Sequence, residues 1–300
     1  MTYRKALAVA VMFVMTVAAC ALEPVKYLDA EGVERSVEKY KVLTGDETLL
    51  VRGWYVVKGN VKFTHVVELR GNVNIILTDG CMLDFKTEGR ESVLCNYYIA
   101  ANLSLYSQSQ GDNMGTMRLS NTLSSYEVMS VVWLNVYGGN FEVVSGDAYV
   151  SNMTLAGGHV KLYEHGSLEC GDLIVKSGSI EQTTFSGHVV VYNSLTLEDC
   201  GELLYNVKYK GTNDIYVSEM YVVYLNDVAY TGLIPVDIYN HVYSIGIERV
   251  GEGGATEVTR LPTTEGAERT GWYTLGGIRL ADKPTAFGVY IHDGKKVVVR

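Results

Sequence analysis

Gly138-Gly139-Asn140-Phe141, Gly157-Gly158-His159-Val160, Ser177-Gly178-Ser179-Ile180 and Cys200-Gly201-Glu202-Leu203 are four versions of one phrase. The second position is always Gly, the third is polar or charged, and the fourth is apolar. The glycines follow one another at 19, 20 and 23 residues. An apolar-x-apolar triplet precedes each phrase: Leu134-Asn135-Val136, Met153-Thr154-Leu155, Leu173-Ile174-Val175 and Leu195-Thr196-Leu197. The last triplet is displaced by one residue, which reads as an insertion ahead of Gly201. Two columns that keep step over four units predict a structural repeat.

A repeat near 20 residues, with short strands and glycine turns, predicts an all-β chain folded as a single-stranded β-solenoid, or β-helix. One coil cannot bury its own apolar face. Stacked coils would place Phe141, Val160, Ile180 and Leu203 in an inward ladder and Asn140, His159, Ser179 and Glu202 in an outward one. Glycine suits positions of sharp turning or positive φ. An antiparallel sandwich is the competing architecture. Val73–Leu77 and Asn102–Tyr106 look like earlier, less regular copies; Ile215–Val217 and Tyr221–Leu225 look like later ones.

This divides the chain into five parts. Residues 1–21 read as a signal peptide: Arg4 and Lys5 precede the uncharged run Ala6–Ala19, too short to span a bilayer. Ala19-Cys20-Ala21 fits one cleavage pattern. Val17-Ala18-Ala19-Cys20 fits a lipobox, in which Cys20 would carry a lipid and supply the membrane anchor. Residues 22–70 are expected to form an N-terminal β cap, with Gly53–Val57 and Val61–Phe63 as a hairpin about Lys58-Gly59-Asn60. Residues 71–250 form the repeat domain. Residues 251–271 are polar, rich in Gly and Thr, and read as a linker. Residues 272–300 form a small β module: Gly276-Gly277 and Asp293-Gly294 each separate apolar runs, as hairpin turns do.

Composition narrows the partners. The chain has 25 Lys+Arg against 34 Asp+Glu, and residues 1–21 hold two of the bases and none of the acids. Nucleic acid would need a basic stripe, and none is visible. Polyanions are disfavoured by the same charge balance. Cys81, Cys95, Cys170 and Cys200 form no CxxC pair, so disulfides and buried free thiols stay open as alternatives.

No metalloprotease, nucleophile-elbow or phosphate-loop motif is present. His159 and His165, with Glu164 beside the second, would have to converge to hold a metal, and positions on a coil need not do so. Acid pairs that stacking could assemble are Asp79 with Asp84, Glu169 with Asp172, and Glu198 with Asp199, beside the single acids Asp112 and Asp147. Acids are also common at turns and on acidic surfaces. Neither cofactor nor metal is expected. The 22 tyrosines suggest another use. Trp133, Tyr137, Tyr149 and Tyr163 fall on expected strands, with Tyr97, Tyr98 and Tyr106. An aromatic face with polar neighbours suits a sugar ring, although tyrosine ladders also hold strands in register.

Trp272-Tyr273-x-Leu275-x-Gly277-x-Arg279-Leu280, then Gly288-Val289-Tyr290-Ile291 and Gly294-Lys295-Lys296-Val297-Val298, resembles the C-terminal sorting domain of type IX secretion substrates. The resemblance covers residues 272–300 and implies passage across an outer membrane, with the module read by the export machinery. Gly53-Trp54-Tyr55-Val56-Val57 and Leu77-Thr78-Asp79-Gly80-Cys81 are similar to lines of repeat-containing β-helical surface proteins of Gram-negative anaerobes, described as adhesin-like or carbohydrate-binding-like. The resemblance implies a β-helical fold and a secreted or outer-surface location; the function expected of such a chain is binding or adhesion to a glycan, a surface protein or a host or matrix surface, without catalysis. A polysaccharide lyase or glycosidase is the first alternative and a structural spacer the second. The enzyme would show carboxylates beside an Arg or Lys on neighbouring strands, and the aligned columns contain no such stack.

Overall fold

Alternation decides where many strands form. Met82-Leu83-Asp84-Phe85 and Thr116-Met117-Arg118-Leu119 bury every second side chain, as a strand with one face on the core must. A computed structural model describes residues 23–250 apart from 90–91, 97–100, 124–125, 183–187, 200–206, 227 and 240–244, together with 272–274, 279–280, 283–284, 288–292 and 295–299. The expected signal peptide with Cys20, the linker, Tyr97, Tyr98 and the phrase Cys200–Leu203 lie outside the described residues.

The described chain is β structure apart from one helical turn, α1 (Val236–Tyr239). β1 (Val25–Leu28) and β2 (Glu34–Val37) form a hairpin. A 14-stranded sheet follows. Its first half holds β3 (Lys41–Val42), β4 (Leu49–Val57), β5 (Asn60–Phe63), β6 (Val67–Leu77), β7 (Met82–Thr87), β8 (Leu94–Cys95) and β9 (Ala101–Ser107). Its second half holds β10 (Thr116–Asn121), β11 (Glu127–Val136), β12 (Asn140–Gln182), β13 (His188–Leu197), β14 (Val207–Tyr209), β15 (Ile215–Val217) and, further on, β18 (Gly232–Ile234). β16 (Tyr221–Leu225), β17 (Val228–Tyr230) and β19 (Ile245–Arg249) make a three-stranded antiparallel sheet. β20 (Trp272–Thr274), β21 (Arg279–Leu280), β22 (Gly288–His292) and β23 (Lys295–Val299) make a four-stranded one, in which both expected C-terminal hairpins pair.

Pairing in the large sheet is parallel except where β18 runs against β15. The register stacks like on like. Val73, Leu103, Leu134 and Met153 are successive partners, and Ile75, Leu105, Val136 and Leu155 run beside them. Phe63, Phe85, Leu119 and Val143 form a third column. All twelve are buried, and each contributes roughly 1.5–3 kcal/mol through the area it removes from water. Phe141, Val160 and Ile180, the expected inward residues, are buried too.

The expected single-stranded β-solenoid is corrected by the strand organisation. The large sheet contains a closed ring of four parallel strands, in which β6 and β11 are each bonded to both β8 and β9. Three of the four repeat phrases fall on or against one strand, β12, which runs unbroken for 43 residues and borders β10, β11 and β13. The glycines explain the difference. Gly158 and Gly178 have φ of 71° and 97° inside β12, and a Cβ on either would lie 2.5–2.6 Å from a backbone oxygen. They bend the strand and admit the neighbouring backbone without ending the pairing. Residues 53–63 differ in a related way: β4 and β5 do not pair with each other, β4 bonding to β3 and β6 and β5 to β7.

Consecutive apolar residues in β4 (Tyr55-Val56-Val57) and β6 (Ile75-Ile76-Leu77) mark strands covered on both faces. The outer cover is the β1–β2 hairpin, which seats Val25, Tyr27 and Val37 against Val56, Ile76, Trp54 and Tyr106.

Candidate functional site

The residue just before each apolar triplet cannot enter the core, because its successor does. In chain order these residues are Asn72, Asn102, Trp133, Asn152, Asp172 and Ser194. The register sets Asn72 opposite Asn102, Trp133 between Asn102 and Asn152, and Asp172 opposite Ser194. Trp133 is 41% exposed although it sits mid-strand. Polar groups along these strands are ordered. Asn135 Nδ2 donates to Asn102 Oδ1 at 2.7 Å and to Ser104 Oγ at 3.2 Å. Asp172 Oδ1 accepts from Asn193 Nδ2 and Ser194 Oγ, each at 2.5 Å.

A few residues before this row, two further aromatic side chains reach solvent. Tyr149 lies opposite Ser130 on the strand that carries Trp133, and Tyr192 lies on β13. They are 38% and 45% exposed. Tyr192 donates from its hydroxyl to Glu169 Oε2 at 2.7 Å. That bond, and to a lesser degree burial, pushes the Tyr192 phenol up to about 12. Burial and then Glu169 raise the Tyr149 phenol as well. Lys210 Nζ stands 5.1 Å from the Tyr192 ring centroid. Exposed rings, a carboxylate and fixed amides are the groups that hold a sugar by its C–H face and its hydroxyls.

Of the four expected binding aromatics, only Trp133 and Tyr149 share this region. Tyr137 packs 5.2 Å from Tyr106, whose ring meets Trp54 and Tyr27 at 5.1 and 5.0 Å. Burial, then the neighbouring Tyr137, pushes the Tyr106 phenol up to about 12. Tyr137 also lines a cleft of about 420 Å³ between the β1–β2 turn and Gly138, Gly157, Gly158 and Gly178. His159 closes one side, with Nδ1 2.6 Å from Ser179 Oγ.

Tyr163 lies elsewhere again, against Glu142. The register of β5, β7, β10 and β12 stacks Lys62, Asp84, Arg118 and Glu142 as successive partners. Arg118 donates to Glu142 Oε2 from Nε at 2.9 Å and from Nη2 at 2.8 Å. The Tyr163 hydroxyl reaches Glu142 Oε1 at 3.4 Å. A stack of carboxylates about an arginine is therefore present, although the aligned glycine columns did not contain it.

The other acids have local duties. Asp79 Oδ1 accepts from Ser109 Oγ at 2.7 Å. Asp147 Oδ1 accepts from Ser167 Oγ at 2.5 Å. Asp199 Oδ1 pairs with Arg249 at 2.8 Å. For Glu47, burial raises the carboxyl, but the backbone N–H groups of Thr44 and Gly45 outweigh it and hold the group below its usual range. Among the described residues no three His, Cys, Asp or Glu side chains converge as metal ligands. Cys81 and Cys170 are free thiols, and both are buried, as is Cys95. In the C-terminal module, Arg279 and Leu280 lie on β21, Gly288 and Tyr290 on β22, and Lys295 and Lys296 on β23; Gly277 and Gly294 lie outside the described residues.

Sequence reading missed Asn102, Asn152, Tyr192, Arg118 and Glu142. A signal existed for the first two, since the position ahead of each apolar triplet is amide-rich. Arg118 and Glu142 are 24 residues apart and belong to no aligned column, so only strand register joins them. Comparison of the chain with protein-family models, curated proteins and solved structures returns no match.

Proposed function

We propose that this chain is an exported, surface-displayed or secreted binding protein that recognises a glycan, without catalysis, through the region of Trp133, Tyr149 and Tyr192. The observation that carries the reading is the exposure of Trp133 between two asparagines on the adjacent strands. A tryptophan on a parallel sheet normally packs inward; here the core position is already taken by Leu134. Tyr149 and Tyr192 extend the aromatic surface, and Glu169 supplies an acceptor for sugar hydroxyls. Export, passage through the C-terminal module and anchoring through Cys20 belong to the same proposal and rest on the sequence patterns at the two ends.

A second reading has its own support. The Asp84–Arg118–Glu142 stack is the feature expected of a polysaccharide-cleaving enzyme. Against it, Glu142 has both oxygens engaged by Arg118 and Tyr163, so it is not poised as a general acid or base.

Residues 22–300 are tested on an array of neutral and acidic glycans, with reducing-sugar release followed in parallel. Retention of a glycan that is lost on Trp133→Ala, with no release, supports the binding reading. Release of sugar replaces it with the enzyme. Retention that ignores Trp133 and Tyr149 removes this region as the site.

A further inference from the structure

The outward face of β7, β10 and the start of β12 carries two adjacent columns. One is Lys62, Asp84, Arg118 and Glu142. The other, two residues further along each strand, begins with Lys86 and Ser120, which are direct partners. Residues two apart share a face. Lys86 is thus the diagonal neighbour of Arg118, about 7–8 Å away by backbone spacing, with Ser120 completing the corner. These two columns hold Lys62, Lys86 and Arg118 against Asp84 and Glu142, a local excess of positive charge on a chain of net −9. Lys62 opposes Asp84, and Glu142 is bonded to Arg118. Lys86 has no acid opposite it, since its partner is Ser120.

The surface is concave here, a groove of about 430 Å³ lined by Asp84, Lys86, Arg118, Ser120, Asn121 and Tyr163, among others. Arg118 is held in place: Glu142 takes two of its N–H groups, Tyr163 braces the far oxygen of Glu142, and 39% of the arginine side chain stays exposed. A guanidinium fixed in this way needs no reordering to receive a second acceptor.

We propose that this groove binds an anionic substituent on a sugar ring, a carboxylate or a sulfate ester, between Lys86 and Arg118, with the ring against Tyr163 and a hydroxyl hydrogen-bonded to Ser120. The site is separate from the Trp133 region and does not depend on it. It also limits the expectation, drawn from total charge, that polyanions are disfavoured: overall charge slows their approach, while recognition is decided by the local arrangement.

The test uses residues 22–300 and calorimetric titration with an oligogalacturonate, its fully methyl-esterified form, and a sulfated oligosaccharide of equal length. Charge-assisted hydrogen bonds predict that the free acid or the sulfated chain binds at least about tenfold more tightly than the ester. The arm that binds identifies carboxylate or sulfate. Lys86→Gln is expected to weaken it about three- to tenfold with an unchanged unfolding curve, and added salt to weaken it further. Trp133→Ala is expected to leave it unchanged. Arg118→Lys keeps the charge but loses the planar fork, and is expected to weaken binding as well. Equal binding of acid and ester, binding of neither anionic chain, indifference to Lys86→Gln, or loss on Trp133→Ala would each overturn the proposal.

Discussion

Phe63 and Phe85 are register partners on neighbouring parallel strands, their rings stacked with centroids 4.8 Å apart and planes 9° from parallel. The ring separation matches the distance between adjacent strands, about 4.8 Å. Identical side chains at identical register positions can therefore stack without any backbone adjustment. Leu119 and Val143 continue the same column. Removing one ring opens a void that the flanking strands cannot close, since their own pairing fixes them. Phe85→Ala is expected to cost about 3–5 kcal/mol, and Phe85→Leu clearly less. Urea unfolding of the three proteins checks this, and a loss below about 1 kcal/mol for the alanine variant would show that the column is not close-packed.

Gly158 combines a positive φ with a backbone oxygen 2.5 Å from where a Cβ would stand. Both conditions exclude a side chain. Gly158→Ala is expected to destabilise by more than about 1 kcal/mol. Gly89, with open space about it, serves as the control, and Gly89→Ala is expected to be neutral or slightly stabilising. Similar midpoints for the two variants would argue against close backbone approach along β12.

The Trp133 region makes a graded prediction for the glycan retained on the array. An aromatic ring in such a contact contributes about 0.5–1.5 kcal/mol beyond its buried area. Trp133→Ala and Tyr149→Ala should each raise the dissociation constant several-fold, while Tyr137→Ala should not, because that ring packs with Tyr106. Thermal melting separates loss of binding from loss of fold.

Alkaline titration reports on two tyrosines whose phenols are pushed up to about 12, Tyr106 by burial and Tyr192 chiefly by its bond to Glu169. Both are raised above the unfolded value of about 10. Their contribution to stability is complete below pH ~10 and is lost as the pH rises towards ~12, because the unfolded chain releases these protons first. Ultraviolet difference titration should show Tyr106 and Tyr192 among the late-ionising phenols, and Tyr106→Phe should remove one phenol from that late phase. Ionisation of all tyrosines together near pH 10 would contradict the packing of Tyr106 and the Tyr192–Glu169 bond.

Cys81, Cys95 and Cys170 should resist thiol reagents in the folded chain and react after unfolding. All three are buried, and burial raises the thiols of Cys81 and Cys170 so that little reactive thiolate forms. Rapid labelling of any of the three in the native protein, read by mass spectrometry, would show that its surroundings open.

All-β structure, the inward placement of Phe141, Val160 and Ile180, and the two C-terminal hairpins follow from the amino-acid order alone. Alternation, glycine spacing and turn residues are local signals, and each needs only a few neighbouring positions to act. The routing of the strands is different in kind. Whether Gly158 ends a strand or bends one depends on which backbone lies against it, here that of Gly139, and no local pattern carries that information. The same holds for the candidate sites. Trp133 and Tyr149 were legible as strand aromatics. Their exposure depends on the core positions taken by Leu134 and Val150, and the meeting of Lys86 with Ser120, and of Arg118 with Glu142, depends on parallel register between distant strands. Tertiary pairing decided those relationships, because a sheet joins residues by hydrogen-bond geometry between strands rather than by their separation along the chain.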